Sequence, residues 1–255
     1  MNKPRSRTGL GFQYLLLLFM LLTPPTALAE LDTASWTRLL GTAVTNGHVN
    51  YTLWENNREF NALVDQIATT QIKSMDRDHQ LAFYINAYNI LAAQGILDGS
   101  SPDSLLGRYL YFKRDKYTVA GQRITLYQLE HERIRTLKEP RIHFAIVCAS
   151  QSCPILRNEA YTPPNLDQQL DTAARDFINN PERNRFDIDS NHATLSSIFK
   201  WFEEDFVASA GSLQAYLAPL VTSPEVADLL RKEAFDISYG EYDWNLNGML
   251  QVEDK

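Results

Sequence analysis

The chain's pattern predicts an α+β fold: a single compact domain with a central apolar helix packed against a small, mostly antiparallel sheet, and a cysteine at a strand end. Three observations carry this expectation. Between Asp76 and Leu97 the apolar residues Leu81, Phe83, Tyr84, Ile85, Tyr88, Ile90, Leu91 and Ala92 wrap around more than one side of a helix, which marks it as covered from several directions. Two pairs of short β-prone runs read as hairpins, Tyr117 to Val119 with Gln122 to Thr125, and Phe186 to Ile188 with Ala193 to Leu195. The run Ile142 to Val147 is β-branched or aromatic except at His143 and Ala145, and it leads straight into Cys148 as a buried strand would.

The elements follow in order once residues 1–29 are set aside. Lys3, Arg5 and Arg7 form a basic start, Tyr14 to Leu22 an apolar core, and Ala27-Leu28-Ala29 a small-residue cleavage signal. This is the pattern of a secretory leader, and its apolar run, ended by Pro24-Pro25, is short for a membrane span. The domain is therefore expected over residues 30–255, exported and periplasmic or secreted, with no stable membrane span after cleavage. Asp32 caps a first helix that ends near Asn46-Gly47, and Val49 to Tyr51 is extended. A second helix runs from about Glu55 to Thr69 with Phe60, Leu63, Val64 and Ile67 on one face. After the central helix and the loop Asp98 to Pro102 comes the first hairpin, turned at Ala120-Gly121. Thr125 then caps a helix reaching about Leu137. Beyond Pro154 the sequence reads as a helix from Leu166 to Ile178, the second hairpin, an aromatic helix from Ile198 to Phe206, and two shorter helices opening at Ser212 and at Ser223-Pro224. A last strand spans Phe235 to Tyr239. There is no repeat, low-complexity tract or linker.

Charge narrows the partners. The chain carries −7, and without Lys3, Arg5 and Arg7 it carries −10. Nucleic acid or an anionic lipid surface would call for a basic face, so the expected partner is a small molecule or a peptide. No phosphate-cradling glycine loop and no Gly-x-Ser-x-Gly elbow is present, and no cofactor is expected.

Chemistry concentrates in Arg141 to Pro154, which holds both cysteines, Cys148 and Cys153. In an oxidising compartment two cysteines usually form one disulfide. With so small a loop it would add only roughly 2 kcal/mol, enough to hold a loop but not a fold. Alternatively, Cys148 is a nucleophile followed by small residues, Ala149 to Ser152, whose N–H groups form an oxyanion hole. A reactive thiol needs a base. His143 stands five positions before Cys148, and on a strand the two side chains face opposite ways roughly 16 Å apart. His131, on the preceding helix, is free to lean over the strand's end and ranks first as base, with Glu130 beside it. Asn86 and Asn89 share a side of the central helix. They bond to loop backbone or, in the functional reading, help the oxyanion hole. The spacing of cysteines and histidines lacks the close pairs of structural zinc, so no metal is expected. Asp243-Trp-Asn245-Leu-Asn247-Gly248 copies the start of a calcium loop, but the expected glutamate is displaced to Glu253, and a packed turn is the simpler reading.

The order of motifs resembles the domain-of-unknown-function 547 family. The motifs are Phe83-Tyr-Ile-Asn-Ala-Tyr-Asn89, Leu126-Tyr-Gln-Leu-Glu-His131, Arg141-Ile-His-Phe-Ala-Ile-Val-Cys148 with Cys153-Pro154, Phe199-Lys-Trp-Phe202 with Asp205-Phe206, and Tyr242-Asp-Trp-Asn-Leu-Asn247. The resemblance runs from about Trp36 to Asn247, with Tyr84 standing where the family tends to carry tryptophan. It implies that Glu130, His131, His143 and Cys148 fall on motif positions, a set like that of thiol hydrolases and transferases. On this reading Cys148 attacks, His131 or His143 moves the proton, and Glu130 orients or tunes the imidazole. Asn86, Asn89 and Ser150 serve the oxyanion, and Arg141 holds an anionic part of the substrate. The rival expectation is a non-catalytic periplasmic binding module with a Cys148–Cys153 disulfide.

Overall fold

The computed structural model describes residues 30–251. The leader-like segment 1–29, Glu253 and Asp254 lie outside them. The fold is mixed helix and strand, as its sequence predicts. In chain order the helices are α1 (Thr33–Ala43), α2 (Arg58–Thr69), α3 (Arg77–Leu97), α4 (Leu105–Tyr109), α5 (Leu126–Leu129), α6 (Leu166–Ile178), α7 (Ser197–Trp201), α8 (Glu203–Ala210), α9 (Leu213–Leu217) and α10 (Pro224–Arg231). The strands are β1 (Val44–Thr45), β2 (His48–Asn50), β3 (Lys116–Val119), β4 (Gln122–Thr125), β5 (Arg185–Asp187), β6 (His192–Leu195), β7 (Asp236–Tyr239) and β8 (Gly248–Met249).

Local chemistry sets most boundaries. Asp32, Asp76, Ser212 and Ser223 each accept a backbone N–H in the first turn of the helix they precede. Thr125 and Gln128 form a reciprocal capping box at α5. The β3–β4 hairpin turns on Ala120 and Gly121, both at positive φ as a two-residue loop requires. The sheets are small and mainly antiparallel, with parallel pairings only at β2–β8 and β6–β7. Gly248 makes the first of these possible, since a Cβ there would lie 1.9 Å from the Val49 carbonyl oxygen. Gly248→Ala is expected to cost about 2 kcal/mol. That is a fall of roughly 6 °C in melting temperature followed by circular dichroism; an unchanged melt would mean that β8 is not anchored there.

Packing is organised by α3, buried on every side from Leu81 to Ala93. It meets α2, α5 and the 3-10 turn Tyr51–Trp54. Around it lies the first apolar cluster, including Trp36, Trp54 and Phe60, whose rings are mutually packed. A second cluster gathers Phe177, Phe199, Phe206 and Leu217 from the chain's later half.

The stretch preceding Cys148 corrects the sequence reading. It is not a strand: Pro140–Phe144 forms a 3-10 turn capped by the Glu139 side chain, and Ala145 to Val147 continue without a ladder. The hydrophobic run has another cause. Ile142, Ala145, Ile146 and Val147 pack into the first cluster, whereas Phe144 packs into the second. The segment is buried on both faces because it lies between two cores, and a short apolar run alone does not distinguish that from a sheet interior.

A second departure is Leu105–Arg114. The sequence reading passed over it, but α4 continues there into a π turn, Leu110–Arg114. The aromatic helix predicted from Ile198 to Phe206 is two helices, α7 and α8, broken at Phe202.

Candidate functional site

A cavity of about 200 Å³ opens at the seam between the two clusters. Its walls are aromatic: Tyr88, Phe112, Tyr127, Trp201, Phe202, Tyr242 and Trp244. Glu130, His143, Cys148 and Cys153 line the same space. Two π turns supply parts of it, Leu110–Arg114 giving Phe112 and Lys113, and Glu130–Ile134 giving Glu130. Such widened turns recur at functional sites because they redirect a side chain without ending the helix. Here the widening buries Glu130 and leaves His131 near the surface.

Glu130 makes no side-chain hydrogen bond among the described residues, and it is only 8% exposed. Burial pushes its carboxyl up to about 7, against a smaller opposing pull from the Arg135 charge. Its carboxyl therefore titrates near neutrality within a largely aromatic wall.

His143 is fixed from the far side. Its Nε2 lies 2.8 Å from Asp205 Oδ2, and Arg135 binds the same carboxylate at 2.7 and 3.0 Å and also reaches Glu204. Burial opposes ionisation of Asp205, but the hydrogen bonds from His143 and Arg135 outweigh it and hold the carboxyl well below its usual range. Burial also lowers the His143 pKa, so the ring is neutral and its Nε2–H donates to Asp205. That leaves Nδ1 as a buried lone pair with no partner among the described residues. The ring stacks on Phe202 with centroids 3.9 Å apart.

Cys148 and Cys153 form a disulfide with Cα atoms 6.1 Å apart. Hydroxyls surround it: Ser150 Oγ is 3.0 Å and Tyr242 OH 3.2 Å from Cys148 Sγ, and Tyr242 OH is 3.4 Å from Cys153 Sγ. The Cys148 N–H donates to Cys153 Sγ at 2.8 Å. Ala149, at φ +61°, makes the sharp turn that brings Ser150 back over the bridge. The C-terminal segment closes the loop from outside, with Gln151 N–H on the Asn245 carbonyl, Ser152 N–H on that of Asp243, and Ser150 bridged to Leu246. The Asp243–Asn247 stretch thus packs against the disulfide loop. No cluster of three potential metal ligands occurs among the described residues.

Several sequence expectations need correction. His143, not His131, lines the cavity; without the strand, the opposed geometry that separated His143 from Cys148 does not exist. His131 stacks on Tyr127 with its Nδ1 3.1 Å from the Tyr127 carbonyl, and burial lowers its pKa. Neither imidazole is hydrogen-bonded to Cys148, and Asp205, not Glu130, orients His143. Asn86 and Asn89 make the bonds to loop backbone that their sequence reading offered first, and neither lines the cavity. Asn86 clamps the backbone of Tyr161 at 2.7 and 3.0 Å, and Asn89 clamps Ala145 and Val147 at 2.9 and 2.8 Å. The N–H groups of Gln151 and Ser152 are likewise committed to the C-terminal segment. Arg141 lies away from the cavity, bound to Glu139 and Asp167. Lys113 is the cavity's cation instead, 4.7 Å above the Tyr127 ring.

Sequence reasoning passed over Phe112, Lys113, Trp201, Phe202, Asp205, Tyr242 and Trp244 as site residues. For the last five the signal was present as aromatic density in Phe199 to Phe206 and Tyr242 to Trp244, which lie far from Cys148 along the chain.

The family described as "Protein of unknown function, DUF547" matches residues 72–178. That stretch is narrower than the span from Trp36 to Asn247 over which motifs were recognised. It includes Glu130, His143 and both cysteines, while Trp201, Asp205, Tyr242 and Trp244 come from beyond it. No curated protein and no solved structure matches the chain.

Proposed function

We propose for this chain, whose residues 72–178 match the family described as "Protein of unknown function, DUF547", an exported thiol hydrolase or acyl transferase acting on a small, largely apolar molecule or peptide side chain. The observation that carries the reading is Glu130: a buried carboxyl without a hydrogen bond, titrating near neutrality, in one cavity with the sulfur of Cys148. The bonded pair is then the resting form. Once an external thiol reductant has opened it, the Cys148 thiol passes its proton to ionised Glu130 and attacks the substrate carbonyl. The Ser150 and Tyr242 hydroxyls, already within 3.2 Å of that sulfur, face the developing oxyanion. Glu130 returns the proton to the leaving group. Neutral His143, held by Asp205, offers its free Nδ1 as a second acceptor.

With the bond intact, the same aromatic walls suit a binding module stapled at one loop. The disulfide itself favours this second reading. Hydrolysis of p-nitrophenyl esters of graded acyl length, with and without reductant, separates the two. Turnover is expected only after reduction, absent in Cys148→Ala and lowered roughly 100-fold in Glu130→Gln. Quenching of Trp201 and Trp244 fluorescence by the esters, with no turnover in either redox state, would leave the binding module.

A further inference from the structure

The donors around the Cys148–Cys153 bridge exceed anything a structural disulfide needs. A bonded sulfur is a weak acceptor, yet the Cys148 sulfur faces the Ser150 and Tyr242 hydroxyls, and the Cys153 sulfur faces the Cys148 N–H and the same Tyr242 hydroxyl. Such groups gain their value when a sulfur carries negative charge, since hydrogen bonds to ions are about twice as strong as those between neutral partners. The two residues differ in exposure: both line the cavity, but Cys148 is half-buried whereas Cys153 is 4% exposed.

We propose that the intact bridge is itself reactive, and that the cavity carries out thiol–disulfide exchange with a small dithiol. The inference shares the cavity with the acyl-transfer reading but not its chemistry, because exchange needs both cysteines and acyl transfer needs Cys148 alone. A substrate thiolate attacks the accessible sulfur of Cys148, forming a substrate–Cys148 mixed disulfide and breaking the Cys148–Cys153 bond. The electron pair leaves on Cys153. Its thiolate is met by the Cys148 N–H at 2.8 Å and by the Tyr242 hydroxyl at 3.4 Å, which in turn accepts from Ser150 at 3.2 Å. A leaving sulfur stabilised in this way departs faster. The substrate's second thiolate then attacks its own bonded sulfur and expels Cys148 as a thiolate. Ser150 and Tyr242 stabilise that charge at 3.0 and 3.2 Å. The substrate ends as a disulfide, the protein as two thiols, and the two substrate protons as the protons on Cys148 and Cys153. A small-molecule disulfide reverses these steps and restores the bridge.

The test uses the folded, oxidised protein with dithiothreitol as the dithiol and glutathione disulfide as the oxidant. Two thiols should appear while the near-ultraviolet circular dichroism stays native, and the bridge should re-form on addition of the oxidant. Tyr242→Phe, which keeps the ring, should slow reduction about tenfold. In Cys153→Ala, 5,5′-dithiobis(2-nitrobenzoic acid) should label Cys148 quickly, and a thiol should release that label. In Cys148→Ala, Cys153 should label far more slowly. Thiols that appear only on unfolding would overturn the proposal, as would wild-type reduction rates in Tyr242→Phe or equal labelling of the two cysteines. Ester turnover by the reduced wild-type protein, with Tyr242→Phe reduced at the wild-type rate and the two cysteines labelled equally, would sink this inference and leave the acyl-transfer reading standing.

Discussion

Glu130→Gln is expected to make the protein more stable than wild type at pH 8 and no more stable at pH 4. The Glu130 carboxyl, which ionises at about 4.5 when unperturbed, is pushed up to about 7 in the folded chain by burial. Below pH 4.5 both states of the wild-type protein hold the proton and the group is neutral in its effect. Between 4.5 and 7 the folded state keeps a proton that the unfolded chain releases, so stability falls as pH rises. Above pH 7 the loss is complete. A displacement of this size corresponds to about 3 kcal/mol. Glutamine keeps the shape of the protonated acid without titrating, so urea unfolding at a series of pH values should show the variant's advantage growing through this window and then levelling. The same substitution removes the proposed proton carrier, so stability is gained as activity is lost, a trade characteristic of functional sites. If the variant gained nothing at pH 8, the native carboxylate would have to be solvated, and the argument for a proton-transfer site would fail.

Asn89→Ala should be the most damaging single change near the cavity. Its side chain accepts from the Val147 N–H and donates to the Ala145 carbonyl, both in the buried stretch before Cys148. Truncation leaves two main-chain groups unsatisfied away from water, at about 1–3 kcal/mol each. The expected total, about 4 kcal/mol, corresponds to a fall of roughly 12 °C in melting temperature. Asn86→Ala removes the matching clamp on Tyr161 and should lower stability comparably, but it should leave the disulfide's reactivity alone because Tyr161 does not line the cavity. A melt within two or three degrees of wild type for Asn89→Ala, a drop of about 1 kcal/mol or less, would show that the pre-cysteine stretch is held by packing alone.

What the sequence disclosed depends on how far each signal acts along the chain. Caps such as Asp32 and Thr125 and the Ala120-Gly121 turn operate over three or four residues, and these placed the helices and the first hairpin. The apolar surround of α3 announced its central position because it could be counted within the helix. The stretch Ile142 to Val147 was misjudged because its partners lie elsewhere: Asn89 more than fifty residues before it, and Asp205 about sixty after His143. The cavity was half legible for the same reason. Glu130, His143 and Cys148 lie close enough in sequence to suggest one another, whereas Trp201, Phe202, Asp205, Tyr242 and Trp244 reach the site only through the folding of the second cluster against the first.

The stretch shared by the two cores also governs how a ligand gets in. Ile142 to Val147 belongs to both neighbourhoods, so the halves of the molecule cannot swing apart like the jaws of a clam without exposing side chains of each. The most open part of the wall is its rim, where Trp201 and Tyr127 are exposed, Trp201 packed on Tyr242 and Trp244 and Tyr127 on His131. A space of about 200 Å³ walled this way is the size of a small molecule or one extended side chain.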